Sequence, residues 1–139
     1  MGMEDLSAFL DDAFPAAARA GLGRVVSVEL DHVRMDLEPA PQMLRPGGIV
    51  SGPTLMGLTD VAAYAVVLAH VGPVAMAVTN TLNITFLRPC RTERVIADAR
   101  LLKLGRRLAT IDVRLWQGTE AGLVAQATVG YVLPASPNP

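Results

Sequence analysis

The sequence predicts an α+β fold in which an antiparallel sheet of five or six strands wraps around one long central helix. Three observations predict it. Residues 52–70 make one long helical stretch that is apolar on nearly every side. The segments around it alternate apolar and polar residues with the period of half-buried strands. Short turns join the last of these segments, which makes sequential strands antiparallel neighbours. A helix without a polar face must be covered all round, and a curled sheet does that.

The elements follow in order. Residues 3–20 form an amphipathic helix carrying Leu6, Phe9, Leu10 and Phe14; Pro15 interrupts it, and Gly21 and Gly23 close the segment. Residues 24–38 hold two strands, with Val26, Val28 and Leu30 alternating in the first and Val33, Met35 and Leu37 in the second. The change of phase between them predicts a tight turn or bulge near Asp31 and His32. Pro39, Pro41, Pro46, Gly47 and Gly48 mark a long loop. Ser51 and Gly52 are capping residues, Pro53 suits the first helical turn, and Gly72-Pro73 stops the helix. Strands are expected over 74–87, 93–104, 107–117 and 122–133, joined as a meander, with a frayed tail over 134–139.

A length of 139 residues fits a single domain spanning 1–139. Aromatic residues are only 4%, so aliphatic side chains and alanine must fill the core. A net charge of -1 and the lack of a basic tract interleaved with aromatics exclude a nucleic-acid partner. The lone Cys90 excludes an internal disulfide and a cysteine zinc cluster. His32 and His70 have no carboxylate at metal-ligand spacing, so no metal and no cofactor is expected. The first ten residues are acidic and lack the basic start of a signal peptide, which predicts a cytoplasmic protein. Residues 61–78 approach the length of a membrane span, but His70, Gly72 and Pro73 interrupt them. A buried helix followed by a strand, with no membrane partner, is the expected arrangement.

One residue stands apart. Between Arg45 and Arg88 the only formally charged side chain is Asp60. A carboxylate in such a stretch is costly unless it is paired or hydrogen-bonded, and such groups concentrate at functional sites. Asp60 could instead cap a helix that starts later. Pro53 and the helical spacing of Leu55, Met56, Leu58 and Val61 favour the earlier start.

The segment GGIVSGPTLMGLTDVAAYAVV resembles the central-helix signature of hotdog-fold acyl-CoA thioesterases of the PaaI/4-hydroxybenzoyl-CoA thioesterase superfamily. In that signature an acidic residue lies eight positions past a glycine, as Asp60 does past Gly52. Downstream, AVTNTLNITFLRPC, LLKLGRRLATIDVRL and LVAQATVGYVL resemble the strands that follow. The resemblance implies a hotdog fold and hydrolysis of an acyl-CoA to free acid and CoA. Asp60 would be the general base or nucleophile, and the Gly52 N–H would polarise the thioester carbonyl. Thr79 would supply a water-orienting hydroxyl from across a dimer interface, with Asn80 beside it. The sequence departs from the family at Ser51, where histidine is usual, and at Arg45, where many members have asparagine.

Lys103, Arg106 and Arg107 fall where the family places the coenzyme A phosphates, and Arg88 is a further cation. Tyr64 shares a helix face with Asp60 and would either pack in the core or line the acyl pocket. His70, about 15 Å along the helix, is too far to pair with Asp60. Loss of the usual histidine and asparagine motivates an alternative, a non-catalytic acyl-CoA-binding protein. A hydratase would need a catalytic histidine, and neither histidine is placed for it. The resemblance also implies a homodimer, itself paired into a homotetramer.

Overall fold

The computed structural model describes residues 1–135; the last four residues of the expected tail lie outside the described residues. The chain runs α1 (Met3–Ala13), α2 (Ala16–Arg19), β1 (Arg24–Glu29), β2 (His32–Leu37), β3 (Leu44–Arg45), β4 (Ile49–Val50), α3 (Gly52–Val71), β5 (Val78–Phe86), β6 (Val95–Leu104), β7 (Leu108–Trp116) and β8 (Leu123–Val132). Pro15 separates α1 from α2, as its ring requires. The loop before α3 also holds a 3-10 turn at Pro41–Met43 and the β3–β4 ladder.

Six strands form one antiparallel sheet in the order β1-β2-β6-β7-β8-β5. This is the hotdog arrangement, with the sheet curled around α3. The meander holds only for β6, β7 and β8. Strand β5 crosses to the far edge and pairs with β8, so its neighbour is not the next strand in sequence. The reason is α3: the sheet reaches round it from both sides, and the strand leaving its C-terminus joins the far edge.

Helix α3 has no solvent face over its middle. Every residue from Val61 to Leu68 is buried, and the helix packs on β2, β5, β6, β7 and β8. Helix α1 covers the side left open, with Leu6 and Leu10 fully buried. Alternation in β6 and β7 points Val95, Ala97, Ala99, Ile111, Val113 and Leu115 inward, all fully buried. In β1 the expected phase holds at Val28 and fails at Val26 and Leu30. A bulge at Val25/Ser27 turns Val25 and Val28 toward the core, opposite Met35 and Val33. Leu30 is not a strand residue; it sits at the turn, 85% exposed, beside Asp31 with its positive φ of 59°.

The outer face of the sheet buries two carboxylates. Asp36 accepts from Arg24 Nε at 2.8 Å and from Arg94 Nε at 2.7 Å. Asp98 is held by His32, Arg34 and Arg100. Burial alone would raise the Asp36 carboxyl, but the hydrogen bonds and charges of the two guanidinium groups outweigh it and hold it below the usual carboxylate range. Gly23, which feeds the chain into β1, has φ +79°; a Cβ there would lie 2.6 Å from the Asp36 carbonyl oxygen and 2.8 Å from Leu58 Cδ1.

Two predictions follow from these contacts. Gly23→Ala forces a left-handed backbone and a clash with backbone at once, so urea denaturation should show a loss of about 2–3 kcal/mol. Asp36 has a folded-state pKa below its unfolded value, so its stabilisation is present above about pH 4 and is lost as pH falls through the lowered value. Wild type should therefore weaken on acidification through this window. Asp36→Asn should flatten that limb and cost about 2 kcal/mol at neutral pH, a modest figure because both arginines reach solvent.

Candidate active site

The start of α3 leaves one backbone donor unused. Ser51 is the N-cap: its backbone is extended, and its Oγ accepts from the Thr54 N–H at 3.3 Å. Pro53 has no N–H, and the Leu55 N–H bonds to the Ser51 carbonyl at 3.2 Å. Among the described residues, the Gly52 N–H is the first-turn donor without a partner, at the positive end of a 20-residue helix. It faces a cleft of 580 Å³ lined in part by Arg45, Arg88, Phe86 and Cys90. Burial raises the Cys90 thiol to about 11, so it is a neutral packing group and not a nucleophile near pH 7.

Asp60 lies eight residues on, about 12 Å along the helix axis. It is half-buried and faces a second cavity of 560 Å³. Among the residues lining that cavity it is the only one with a formal charge. Two hydroxyls converge on it. Thr79 Oγ1 donates to Asp60 Oδ1 at 2.5 Å, and the Tyr131 hydroxyl donates to the same oxygen at 2.8 Å. The Tyr131 oxygen also lies 3.0 Å from the Asp60 carbonyl oxygen. Oδ2 accepts no hydrogen bond among the described residues. The carboxylate is thus anchored through one oxygen and open to the cavity through the other.

The sheet delivers both hydroxyls. Thr79 on β5 and Tyr131 on β8 are register partners, so their side chains lie together on the inner face beneath α3. Tyr131 is 3% exposed, and its ring stacks on Tyr64 at 5.9 Å between centroids. Tyr64 in turn meets the edge of Phe14 at 6.2 Å and donates its hydroxyl to the Ala75 carbonyl at 3.1 Å. Burial and then the Asp60 charge push the Tyr131 phenol far up, which keeps it a protonated donor.

The residues singled out from sequence separate into groups. Asp60, Thr79 and Tyr64 line one cavity. Gly52, Arg45 and Arg88 line the cleft at the helix start, with the Ser51 side chain committed to the cap. Thr79 reaches Asp60 within the same chain, at the position where the resemblance implies a water-orienting hydroxyl. The side chain of Asn80 lies over Gly130 on the opposite face of the sheet, where a Cβ on Gly130 would be 2.5 Å from Asn80 Oδ1. Lys103, Arg106 and Arg107 sit on the β6–β7 hairpin and line neither cavity; Arg107 Nε donates to the Leu133 carbonyl at 2.7 Å. His70 pairs with Asp31 at 3.0 Å.

Tyr131 was not singled out. A signal existed: Ala125, Ala127, Val129 and Tyr131 share one phase of β8, and a tyrosine at an inward position needs a hydrogen-bond partner. The one charged group of the central helix is such a partner. Among the described residues no three His, Cys, Asp or Glu side chains converge on a metal position.

The chain is similar to known proteins. A structure of a candidate thioesterase from Silicibacter sp. TM1040 superposes with a TM-score of 0.86 at 38% identity, covering 96% of this chain and 92% of that one. A phenylacetic acid degradation-related protein from Ralstonia eutropha JMP134, also a candidate thioesterase, superposes with a TM-score of 0.79 at 29% identity, covering 93% and 99%. A candidate esterase of Thermoplasma acidophilum is 30% identical over 76 residues, which span 55% of this chain and 57% of that protein. The sequence profile of the thioesterase superfamily matches residues 47–124, from the loop before α3 into β8. The chain belongs to the thioesterase superfamily.

Proposed function

We propose that the protein hydrolyses an acyl-CoA thioester to the free acid and CoA, with Asp60 as the reacting carboxylate. The observation that carries this reading is a lone carboxylate, held by two hydroxyls through one oxygen, in an otherwise uncharged cavity. A general base needs a free oxygen within reach of water, and Oδ2 is such an oxygen. In the general-base route Oδ2 takes a proton from water as the water oxygen bonds to the thioester carbon. The C–S bond then breaks, and the thiolate recovers the proton. In the nucleophilic route Oδ2 itself bonds to that carbon, the thiolate leaves, and water cleaves the resulting anhydride.

The carbonyl oxygen needs a donor as it gains charge, and the Gly52 N–H at the start of α3 is suited to it. One chain cannot bring both groups to one carbonyl, because they stand about 12 Å apart on a single rigid helix. Strand β5 offers a solution. It is a nine-residue sheet edge without a charged side chain, whereas the other edge, β1, carries Arg24 and Glu29 and is covered by α1. Its start, at Thr79, lies by Asp60, and its end, at Phe86, lies against Gly52. Antiparallel pairing of two copies about the middle of β5, near Leu82, sets the Thr79 end of each strand beside the Phe86 end of the other. Each site then combines Asp60 of one chain with the Gly52 N–H of a second. Arg45 and Arg88 border that Gly52 cleft, and with Lys103, Arg106 and Arg107 they suit the phosphates of coenzyme A. Two such dimers pairing would make the homotetramer.

Asp60→Asn should lower turnover on a panel of acyl-CoA thioesters by at least about 1,000-fold while the thermal melt stays near wild type. Full turnover by this variant would sink the mechanism. Saturable CoA binding with no hydrolysis of any thioester by wild type would select a binding protein instead. Light scattering should give a multiple of the 14.7 kDa chain mass. Mixing inactive Asp60→Asn with a variant disabled at Gly52 should restore about a quarter of wild-type activity, since each mixed dimer holds one intact site. No recovery after verified subunit exchange would exclude the shared site.

A further inference from the structure

We propose that Tyr131 is a positioning residue for the Asp60 carboxylate, and that with Thr79 it commits Oδ1 to structure and leaves Oδ2 as the reacting oxygen. The inference rests on the reading of Asp60 as the reacting group. It adds a residue and a division of labour between the two carboxylate oxygens.

A carboxylate on a helix can rotate about its last side-chain bond, which exchanges its two oxygens. Two donors on one oxygen stop that rotation. Thr79 Oγ1 at 2.5 Å and the Tyr131 hydroxyl at 2.8 Å both converge on Oδ1. Each hydroxyl has one proton, so the two together occupy the lone pairs of that oxygen. The Tyr131 oxygen also stands 3.0 Å from the Asp60 carbonyl oxygen, the longer of the two acceptors that share its single proton.

Tyr131 is itself fixed. It is 3% exposed, stacked on Tyr64, and paired in register with Thr79 across β5 and β8. The site therefore uses a rigid support on neighbouring sheet strands to aim a group on the helix. The groups facing Asp60 across the cavity are Thr79, Tyr131 and Tyr64, and the Tyr64 hydroxyl is turned away to the Ala75 carbonyl. No other formally charged side chain lines the cavity, so these two donors dominate the local stabilisation of the carboxylate. Burial keeps the Tyr131 phenol protonated, so it donates throughout the working pH range.

Tyr131→Phe tests this because it keeps the ring and its stacking and removes only the hydroxyl. Thr79→Val is the second variant and Thr79→Ser the conservative rescue. For Tyr131→Phe we expect kcat to fall about 10- to 100-fold with KM within about twofold, because the loss falls on aiming the reacting oxygen and not on binding substrate. Thr79→Val should do the same, and Thr79→Ser should restore most of the loss. A readout independent of turnover is the ¹³C resonance of the Asp60 carboxyl carbon, which should move at fixed neutral pH in Tyr131→Phe relative to wild type because one of its oxygens has lost a donor. Wild-type kcat in a folded Tyr131→Phe would overturn the proposal, as would a lowered melting temperature with an unmoved carbon resonance. A moved carbon resonance in a protein that hydrolyses no thioester would uphold the contact and refute the reading of Asp60 as a hydrolytic group.

Discussion

Helix α3 cannot be exposed, and the rest of the molecule is arranged to meet that constraint. Eight consecutive buried residues, Val61 to Leu68, cover more than two turns and so point in every direction around the axis. A flat sheet covers one side of a helix. This helix needs the sheet to curl and α1 to lie over the remaining side with Leu6 and Leu10. Ala62, Ala63 and Ala65 let the surrounding elements approach closely, which a bulkier run would prevent. The enclosure also isolates the one charge the helix carries. Asp60 is tolerated because it opens on a cavity and accepts two hydroxyl hydrogen bonds. The stability of the core and the isolation of the carboxylate thus come from the same packing.

Periodicity and end signals reveal local structure and the face a residue takes, and they did so here for α3 and for β6 to β8. Ser51, Pro53 and Gly72 bound the central helix because capping chemistry is local. What is not local was misread. The phase of β1 holds at Val28 but not before it, because a bulge places two residues opposite one and exchanges the faces there; Val25 is inside, not Val26, and Leu30 lies in the turn. The place of β5 was misread because alternation identifies faces and not neighbours. The same division applies to the site. Asp60 was legible because a lone charge on an apolar helix is visible in one dimension. Tyr131 was not, since 71 residues separate it from Asp60 and only the β5–β8 register brings them together.

The aim of Thr79 has its own structural cause. On β5 the side chains of Leu82 and Ile84 pack against the core, and Thr79 also points inward to Asp60. Residues 79 and 82 are an odd number of positions apart, so a regular strand would set them on opposite faces. The irregularity at Thr79/Thr81 resolves the conflict: Thr79 pairs with Tyr131 and Thr81 with Gly130, leaving Asn80 as the extra residue. That arrangement requires Gly130, because Asn80 Oδ1 and Thr81 Oγ1 stand 2.5 and 2.6 Å from where its Cβ would be. Asn80 therefore matters to the site without facing it. Its insertion turns the start of β5 so that the threonine beside it reaches the carboxylate, while the rest of the strand keeps its apolar face on the core. The departures at the helix start add weight to this aim. With Pro53 lacking an N–H and Ser51 capping Thr54, one backbone donor is left at the helix end, so in the proposed hydrolysis more of the chemistry would rest on how firmly Asp60 is held.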